Sequence, residues 1–206
     1  MFSVATTTAL LFVVFLMVLG VTIWIDSKKT YILPPKLNHQ DGGQEATEEN
    51  ASAEFKANPK NGDLVAKVSA NYPGKGSAWA ALGYEFDNQD SDEKKIIVEL
   101  NFKYRINLDT DNDQSPVCAK IETILNGNPV TIVEKRLSAP VGEQAANSDE
   151  FLSAKQRHAT LLKPGEKFTA CLKISLQAEA GSDGKSSGEI VANLSEIYYR
   201  PELTPM

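Results

Sequence analysis

The sequence predicts an all-β protein, an antiparallel β-sandwich of seven or eight strands behind a single N-terminal transmembrane helix. Three observations predict this fold. The N-terminal run is apolar and uncharged, two long segments alternate apolar and polar residues, and turn residues separate short β-type runs. Short strands divided by turns are typical of sandwiches and barrels, and 206 residues leave room for one domain plus an anchor.

The N-terminal segment predicts a membrane anchor. Residues 1–25 contain no Asp, Glu, Lys or Arg. As a helix they would extend about 37 Å, which exceeds the ~30 Å hydrocarbon core of a bilayer. Trp24 would then lie at the interface, where indoles are enriched. A cleaved signal peptide is the alternative, but the segment has neither the basic start nor the small-x-small cleavage site of such peptides.

The orientation of this anchor is predicted from opposing observations. Lys28 and Lys29 follow the apolar run, and the positive-inside rule would place them in the cytoplasm. Two cysteines and the Asn-x-Ser sequons at Asn50 and Asn193 instead favour an oxidising, extracytoplasmic environment. We expect the globular domain outside the cytoplasm, and a cytoplasmic domain stays open as the alternative.

The segment after the anchor predicts a flexible stalk. Residues 26–63 include Pro34-Pro35 and are rich in Gly, Asn, Glu and Ala, with few large apolar side chains. Such a composition buries little surface on folding. The sandwich domain is therefore predicted to span residues 64–206.

Two segments carry the clearest strand pattern. In residues 98–108 and 167–178, apolar and polar side chains alternate over the whole length. Strands of this kind bury one face and expose the other to solvent. We predict that both are long strands packed on the core.

Turn residues and shorter apolar runs complete the predicted strand set. Asn126-Gly127-Asn128-Pro129 predicts a hairpin, and Lys163-Pro164-Gly165-Glu166 predicts a second turn. The remaining predicted strands are Val117–Leu125, Val130–Leu137, Ala78–Phe86, a strand ending at Leu162, and Glu189–Tyr199 with a bulge between Leu194 and Ile197.

In strand count and spacing, this part of the chain resembles the jelly-roll modules of lectins and carbohydrate-binding domains. An immunoglobulin-like sandwich is less favoured, because the region from Cys118 to Cys171 lacks the Trp and tyrosine-corner spacing of that fold. The resemblance rests on strand count and spacing and implies a binding module.

The two cysteines predict a disulfide. Cys118 is in phase with Lys120 and Glu122, and Cys171 is in phase with Lys173, so both thiols project from polar strand faces. They could pair if their strands are neighbours in one sheet, and closing that loop would contribute roughly 4 kcal/mol. Two free thiols in a reducing compartment are the alternative.

Composition and motifs exclude several functions. The net charge of −6 and the absence of a basic stripe argue against a nucleic-acid partner. The two histidines, His39 and His158, supply no zinc cluster or catalytic relay, and there is no Gly-rich phosphate loop. We therefore expect no enzymatic activity and no cofactor apart from a structural calcium ion.

The calcium hypothesis comes from an acidic loop. Asp109, Asp111 and Asp113 occupy alternate positions, as in the first half of an EF-hand loop. The loop departs from that motif at Gln114, where the motif requires Gly, and at Lys120, where it requires Glu. A solvated acidic turn is the alternative.

Aromatic residues supply the candidate ligand contacts. Trp79, Tyr198 and Tyr199 could stack on sugar rings if they line an exposed face, although such residues more often belong to the core. Asn50 lies in the predicted stalk and is the candidate glycosylation site.

The sequence therefore predicts a membrane-anchored, non-catalytic binding or adhesion module that recognises glycan or a protein partner at the cell envelope. The alternative is a structural or accessory subunit of a surface filament or envelope assembly, which implies homo-oligomers. An apolar N-terminal helix before a β-rich head resembles the plan of type IV pilins and archaellum accessory proteins, over residues 1–25 and the general layout. The chain lacks their basic leader and the Glu near the helix start.

Overall fold

A computed structural model describes residues 30–34, 36–47, 49–89, 92–111, 114–138 and 150–201, which form eleven β-strands. The predicted transmembrane helix, residues 1–25, lies outside this part of the chain. Within the described residues, no helix is long and apolar enough to cross a membrane. The strands are β1 (Thr30–Ile32), β2 (His39–Thr47), β3 (Ala51–Asn58), β4 (Asp63–Asn71), β5 (Lys75–Asp87), β6 (Lys94–Thr110), β7 (Val117–Leu125), β8 (Asn128–Leu137), β9 (Leu152–Leu162), β10 (Lys167–Glu179) and β11 (Lys185–Pro201).

The strands form an antiparallel sandwich of two sheets. One sheet has the order β3-β4-β11-β6-β9, with β1 also paired to β11, and the other has the order β2-β5-β10-β7-β8. Strands β4 to β11 pair first with last, moving inward: β4 with β11, β5 with β10, β6 with β9 and β7 with β8. The strands thus form one long antiparallel ribbon that is folded into two sheets, which is the topology of a jelly roll. The seven strands that were named from the sequence correspond to β5–β11, and β1, β2, β3 and β4 are additional.

The core confirms the alternation predicted for the two longest segments. In β6 and β10 every second side chain points between the sheets, and the facing strands complete a continuous apolar layer. The polar side chains between them lie on the outer faces. The largest fully buried side chains are Phe102, Phe168, Leu64, Leu82, Leu100, Ile106, Leu108, Ile121, Leu172, Ile174, Leu176 and Ile190.

The predicted turns are confirmed by their backbone conformations. Asn126 and Gly127 have φ of 48° and 78°, so they form the two-residue hairpin turn between β7 and β8. Gly165 has φ of 71°, and the amide of Glu166 donates to the carbonyl of Lys163 at 3.1 Å. The predicted irregularity in the last strand is also present, between Leu194 and Glu196.

The prediction of a flexible stalk over residues 26–63 is wrong where β2 and β3 form, because β2 pairs with β5 and β3 pairs with β4. Gly42 lies where the Phe55 ring of β3 packs, and a Cβ there would overlap that ring. The Gln40 side chain also donates to the carbonyl of Ala57 at 3.0 Å. Gly42, which suggested a linker, therefore leaves room for the Phe55 ring to pack against β2.

Candidate functional site

The outer face of the five-stranded sheet carries a row of polar side chains that crosses every strand. Residues directly opposite one another in a sheet point to the same face. The row consists of Glu45 on β2, Ser77 on β5, Gln177 on β10, Cys118 on β7 and Arg136 on β8. These side chains line a cleft of about 490 Å³ together with flanking residues such as Lys75, Glu134 and Glu179. Small-molecule sites have volumes of roughly 300–1,000 Å³.

Trp79 lies on this same face, two residues after Ser77 on β5. The indole is half-buried and leans over β2, where Gly43 stands opposite it. A Cβ at Gly43 would lie 2.7 Å from the indole Nε1, so only glycine leaves room for the ring. The Lys173 ammonium lies 4.8 Å from the ring centroid. Trp79 therefore lies on the outer face of the sheet, and its role in ligand binding stays a prediction.

Some polar side chains of the cleft are paired with one another and others are not. Lys75 and Glu179 form an ion pair at 2.5 Å. Among the described residues, no ion pair or side-chain hydrogen bond engages Glu45, Gln177 or Arg136. A carboxylate, an amide and a guanidinium thus line the cleft with their hydrogen-bonding capacity available to a ligand.

The predicted disulfide between Cys118 and Cys171 is wrong in this structure, in which both thiols are free. Both cysteines lie on the outer face, as predicted, and their strands are neighbours in the sheet. However, Cys171 stands opposite Ile124, six residues along β7 from Cys118. Six residues of strand span about 20 Å, far beyond the ~7 Å limit between the Cα atoms of a disulfide.

The two thiols have different environments. Cys118 is half-buried in the cleft, and its pKa is raised mainly by burial and further by Glu134. Cys171 is 2% exposed, with its sulfur against Gly83, and burial raises its pKa to about 12. Cys118 is therefore the accessible thiol and marks the cleft.

The predicted ligand-binding tyrosines are not part of this site. Tyr198 lies on the outer face of the six-stranded sheet, across the sandwich from Trp79, with its ring 5.6 Å from that of Tyr31. Tyr199 faces the interior and makes an edge contact with Phe86 at 4.9 Å. The structure does not bring these tyrosines together with Trp79, because successive strand residues point to opposite faces and the two sheets separate the rings. Their role in ligand binding stays a prediction.

Tyr198 belongs to a polar cluster around a buried carboxylate. Glu99 is 2% exposed and contacts the Lys155 ammonium. Burial alone would raise the Glu99 pKa, but hydrogen bonds with Lys155, Tyr198 and Asn101 outweigh it, so the pKa is lowered. Burial and Glu99 together raise the Tyr198 pKa. This cluster joins β6, β9 and β11 and has a structural role.

The acidic loop does not form a metal site among the described residues. Asp109 is exposed at the end of β6, and Asp111 accepts the Lys185 amide at 2.6 Å. Asp113 lies outside the described residues. No group of three or more His, Cys, Asp or Glu that could hold a metal occurs in the part of the chain that the structure describes. The calcium site stays a prediction.

The candidate glycosylation site, Asn50, is exposed in the turn between β2 and β3. Its side-chain nitrogen donates to the carbonyl of Tyr72 at 3.3 Å. Glycosylation there would replace this hydrogen bond and stays a prediction.

Comparisons with known proteins find slight similarity to solved structures. No protein-family model matches the chain, and no characterised protein matches it in sequence. Among solved structures, the chain is similar to the carbohydrate-binding module CBM4, with 9% identity over 74% of this chain and 78% of that one and a TM-score of 0.24. A carbohydrate-binding module from the β-sandwich superfamily with promiscuous specificity matches with 11% identity over 82% and 56%, with a TM-score of 0.27. The Eiger TNF of S. frugiperda matches with 11% identity over 58% and 66%, with a TM-score of 0.22. At these TM-scores the likenesses carry no argument about the fold or the ligand of this chain.

Proposed function

We propose that this chain is a membrane-anchored, non-catalytic binding module displayed outside the cytoplasm, and that the outer face of its five-stranded sheet binds glycan. One observation carries the proposal: a half-buried indole, Trp79, lies beside a cleft to which all five strands contribute polar side chains. The fold similarity to carbohydrate-binding modules agrees with the proposal but does not carry it.

The chemistry of the cleft fits sugar rings. A pyranose presents an apolar C–H face, which packs on an indole, and a rim of hydroxyl groups that both donate and accept hydrogen bonds. Trp79 supplies the ring, Glu45 supplies acceptors, Arg136 supplies donors and Gln177 supplies both. The polar row spans four strand spacings of about 4.8 Å, or roughly 19 Å, which favours an oligosaccharide over a single sugar.

The proposal is tested with the full-length chain in nanodiscs on a glycan array, followed by titration of the best glycan. We expect Trp79→Ala to weaken binding by at least about tenfold. The matched control is Phe151→Ala, which removes a 46% exposed aromatic just before β9, on the other sheet. Equal losses in both variants, or none in Trp79→Ala, would place the site elsewhere.

Cys118 supplies an independent measurement at the same site. The bound glycan should slow alkylation of Cys118 at least several-fold, because this thiol lines the cleft. Failure of the chain to bind glycans and envelope extracts alike would refute the binding module. High-mass species in mild detergent would then favour the alternative, a subunit of an envelope assembly.

A further inference from the structure

A lysine lies over the indole that the proposed function uses. Lys173 projects from β10 on the outer face of the five-stranded sheet, diagonally across from Trp79 on β5. The residue is half-buried, and its ammonium lies 4.8 Å from the centroid of the indole. A cation–π contact of this kind is weak where the ammonium stays partly hydrated. The Lys173 ammonium is therefore held at the surface on which a sugar ring would stack, by a contact that a ligand can exchange.

The ammonium of Lys173 forms no ion pair with any residue that the structure describes. Glu122 stands directly opposite Lys173 on β7, but its carboxylate pairs with the Lys120 ammonium at 2.7 Å. Glu134 on β8 also stands opposite Lys120. Because one lysine faces both of these carboxylates, the charge of Lys173 is left to the indole and to a ligand.

A second cation without an ion pair lies at the β8 end of the polar row. Arg136 lines the cleft opposite Cys118, and the same row crosses β10 at Gln177. Its planar guanidinium presents paired donors that match the two oxygens of a carboxylate. Lys173 lies four residues along β10 from Gln177 and two strands from Arg136, which places the two cations about 16 Å apart at their Cα atoms. Two cations at this separation suit an oligosaccharide that carries more than one carboxylate.

We propose that the glycan site prefers acidic sugars, and that Lys173 is the residue that selects a uronate ring on Trp79. This inference rests on the glycan site of the proposed function and names its ligand class. A neutral ring stacked on the indole displaces the ammonium and offers it only hydroxyl oxygens. A uronate offers it a carboxylate, so that Coulomb attraction is added to the hydrogen bond, and near a protein surface this attraction is stronger than in bulk water.

The carboxylates of β2 stand on the other side of Trp79. Asp41 lies in the same row as Lys173 but two strands away, about 10 Å between Cα atoms, and its Oδ1 accepts the Gly42 amide at 2.8 Å. Glu45 lies two strands and four residues from Lys173, about 16 Å between Cα atoms. A uronate on the indole therefore meets a cation when its carboxylate points toward β10 and meets repulsion when it points toward β2. This asymmetry fixes the direction in which the ring binds.

The test titrates the full-length chain in zwitterionic nanodiscs with uronate oligosaccharides and with their carboxyl-reduced forms, which keep the linkages and lose the charge. Chitosan oligosaccharides serve as the cationic counterpart. We expect the best uronate glycan to bind at least about tenfold more tightly than its reduced form, and this preference should decrease with added salt. Lys173→Gln should remove most of the preference, whereas Lys173→Arg should retain it. Lys103→Gln is the matched control, because it removes an exposed lysine from the outer face of the other sheet.

Three results would overturn the inference, and they are distinguishable. Binding that depends on Trp79 but is equally tight for the uronate and reduced forms, or tighter for chitosan, would refute the preference while leaving the glycan site intact. A uronate preference that survives unchanged in Lys173→Gln would refute the role of Lys173. Absence of binding to every glycan would refute the proposed function and this inference together.

Discussion

Alkylation of the native chain without reductant should modify Cys118 and spare Cys171. Cys171 is 2% exposed and has a pKa of about 12. At pH 8 the thiolate fraction of such a group is about 10⁻⁴, against about 10⁻¹ for an unperturbed thiol, so ionisation alone slows its reaction roughly 10³-fold. Cys118 is half-buried with a smaller rise in pKa, so it should react within minutes.

The assay is iodoacetamide labelling followed by peptide mass analysis, in the native state and in urea. Both thiols should react in urea, because unfolding exposes Cys171 and restores its ordinary pKa. If neither thiol reacted until reductant was added, a disulfide would be present. The β7–β10 register would then have to shift by six residues, and the polar row across the sheet would not exist.

Three further predictions concern stability. Glu99→Gln should lower the free energy of unfolding at pH 7 by about 1–3 kcal/mol. Folding lowers the Glu99 pKa, so the carboxylate stabilises the fold above its unfolded pKa of 4.5. This stabilisation is lost as the pH falls through the folded pKa. Urea denaturation at pH 7 and pH 3 checks this, and an equal deficit at both would contradict it. Gly42→Ala should lower the free energy of unfolding by about 1–3 kcal/mol, because the new Cβ overlaps the Phe55 ring. The loss should be smaller in a Phe55→Ala background, and equal losses in the two backgrounds would mean that no clash exists. Leu172→Ala, in the fully buried layer, should cost about 2–5 kcal/mol by thermal or urea denaturation, and a cost under 1 kcal/mol would place it outside the core.

The parts of the fold that the sequence predicts are those encoded locally. Alternation along β6 and β10 reports which side chains face the core, and positive φ at Asn126 and Gly127 is a property of the residues themselves. The order of strands in each sheet has no such local pattern. It follows from pairings between residues about 100 positions apart, such as Leu176 with Ala78.

Strand β2 was missed for a specific physical reason. Gly42 and Gly43 suggest a linker when only their neighbours in sequence are considered. In the structure each glycine makes room for an aromatic ring on one face of the strand, Phe55 on the inner face and Trp79 on the outer face. The apolar partners of β2 are therefore supplied by other strands.

The candidate site was predictable only in part. The phase of Trp79 within β5 places its indole on the outer face, and the sequence shows that phase. The contribution of Arg136 depends on its position opposite Cys118, and that of Glu45 on a strand that was not predicted. A sequence shows which side chains lie on the polar face of a strand. Predicting which of them form a row across the sheet also requires the register between strands.

The most direct test of the central claim is the affinity of the full-length chain for its best array glycan, with and without Trp79→Ala. If the outer face of the five-stranded sheet binds glycan, the variant should lose at least tenfold in affinity, equivalent to about 1.4 kcal/mol, while keeping its unfolding midpoint. The Phe151→Ala control should bind as tightly as the unaltered chain. Unchanged glycan affinity in a folded Trp79→Ala variant would contradict the claim.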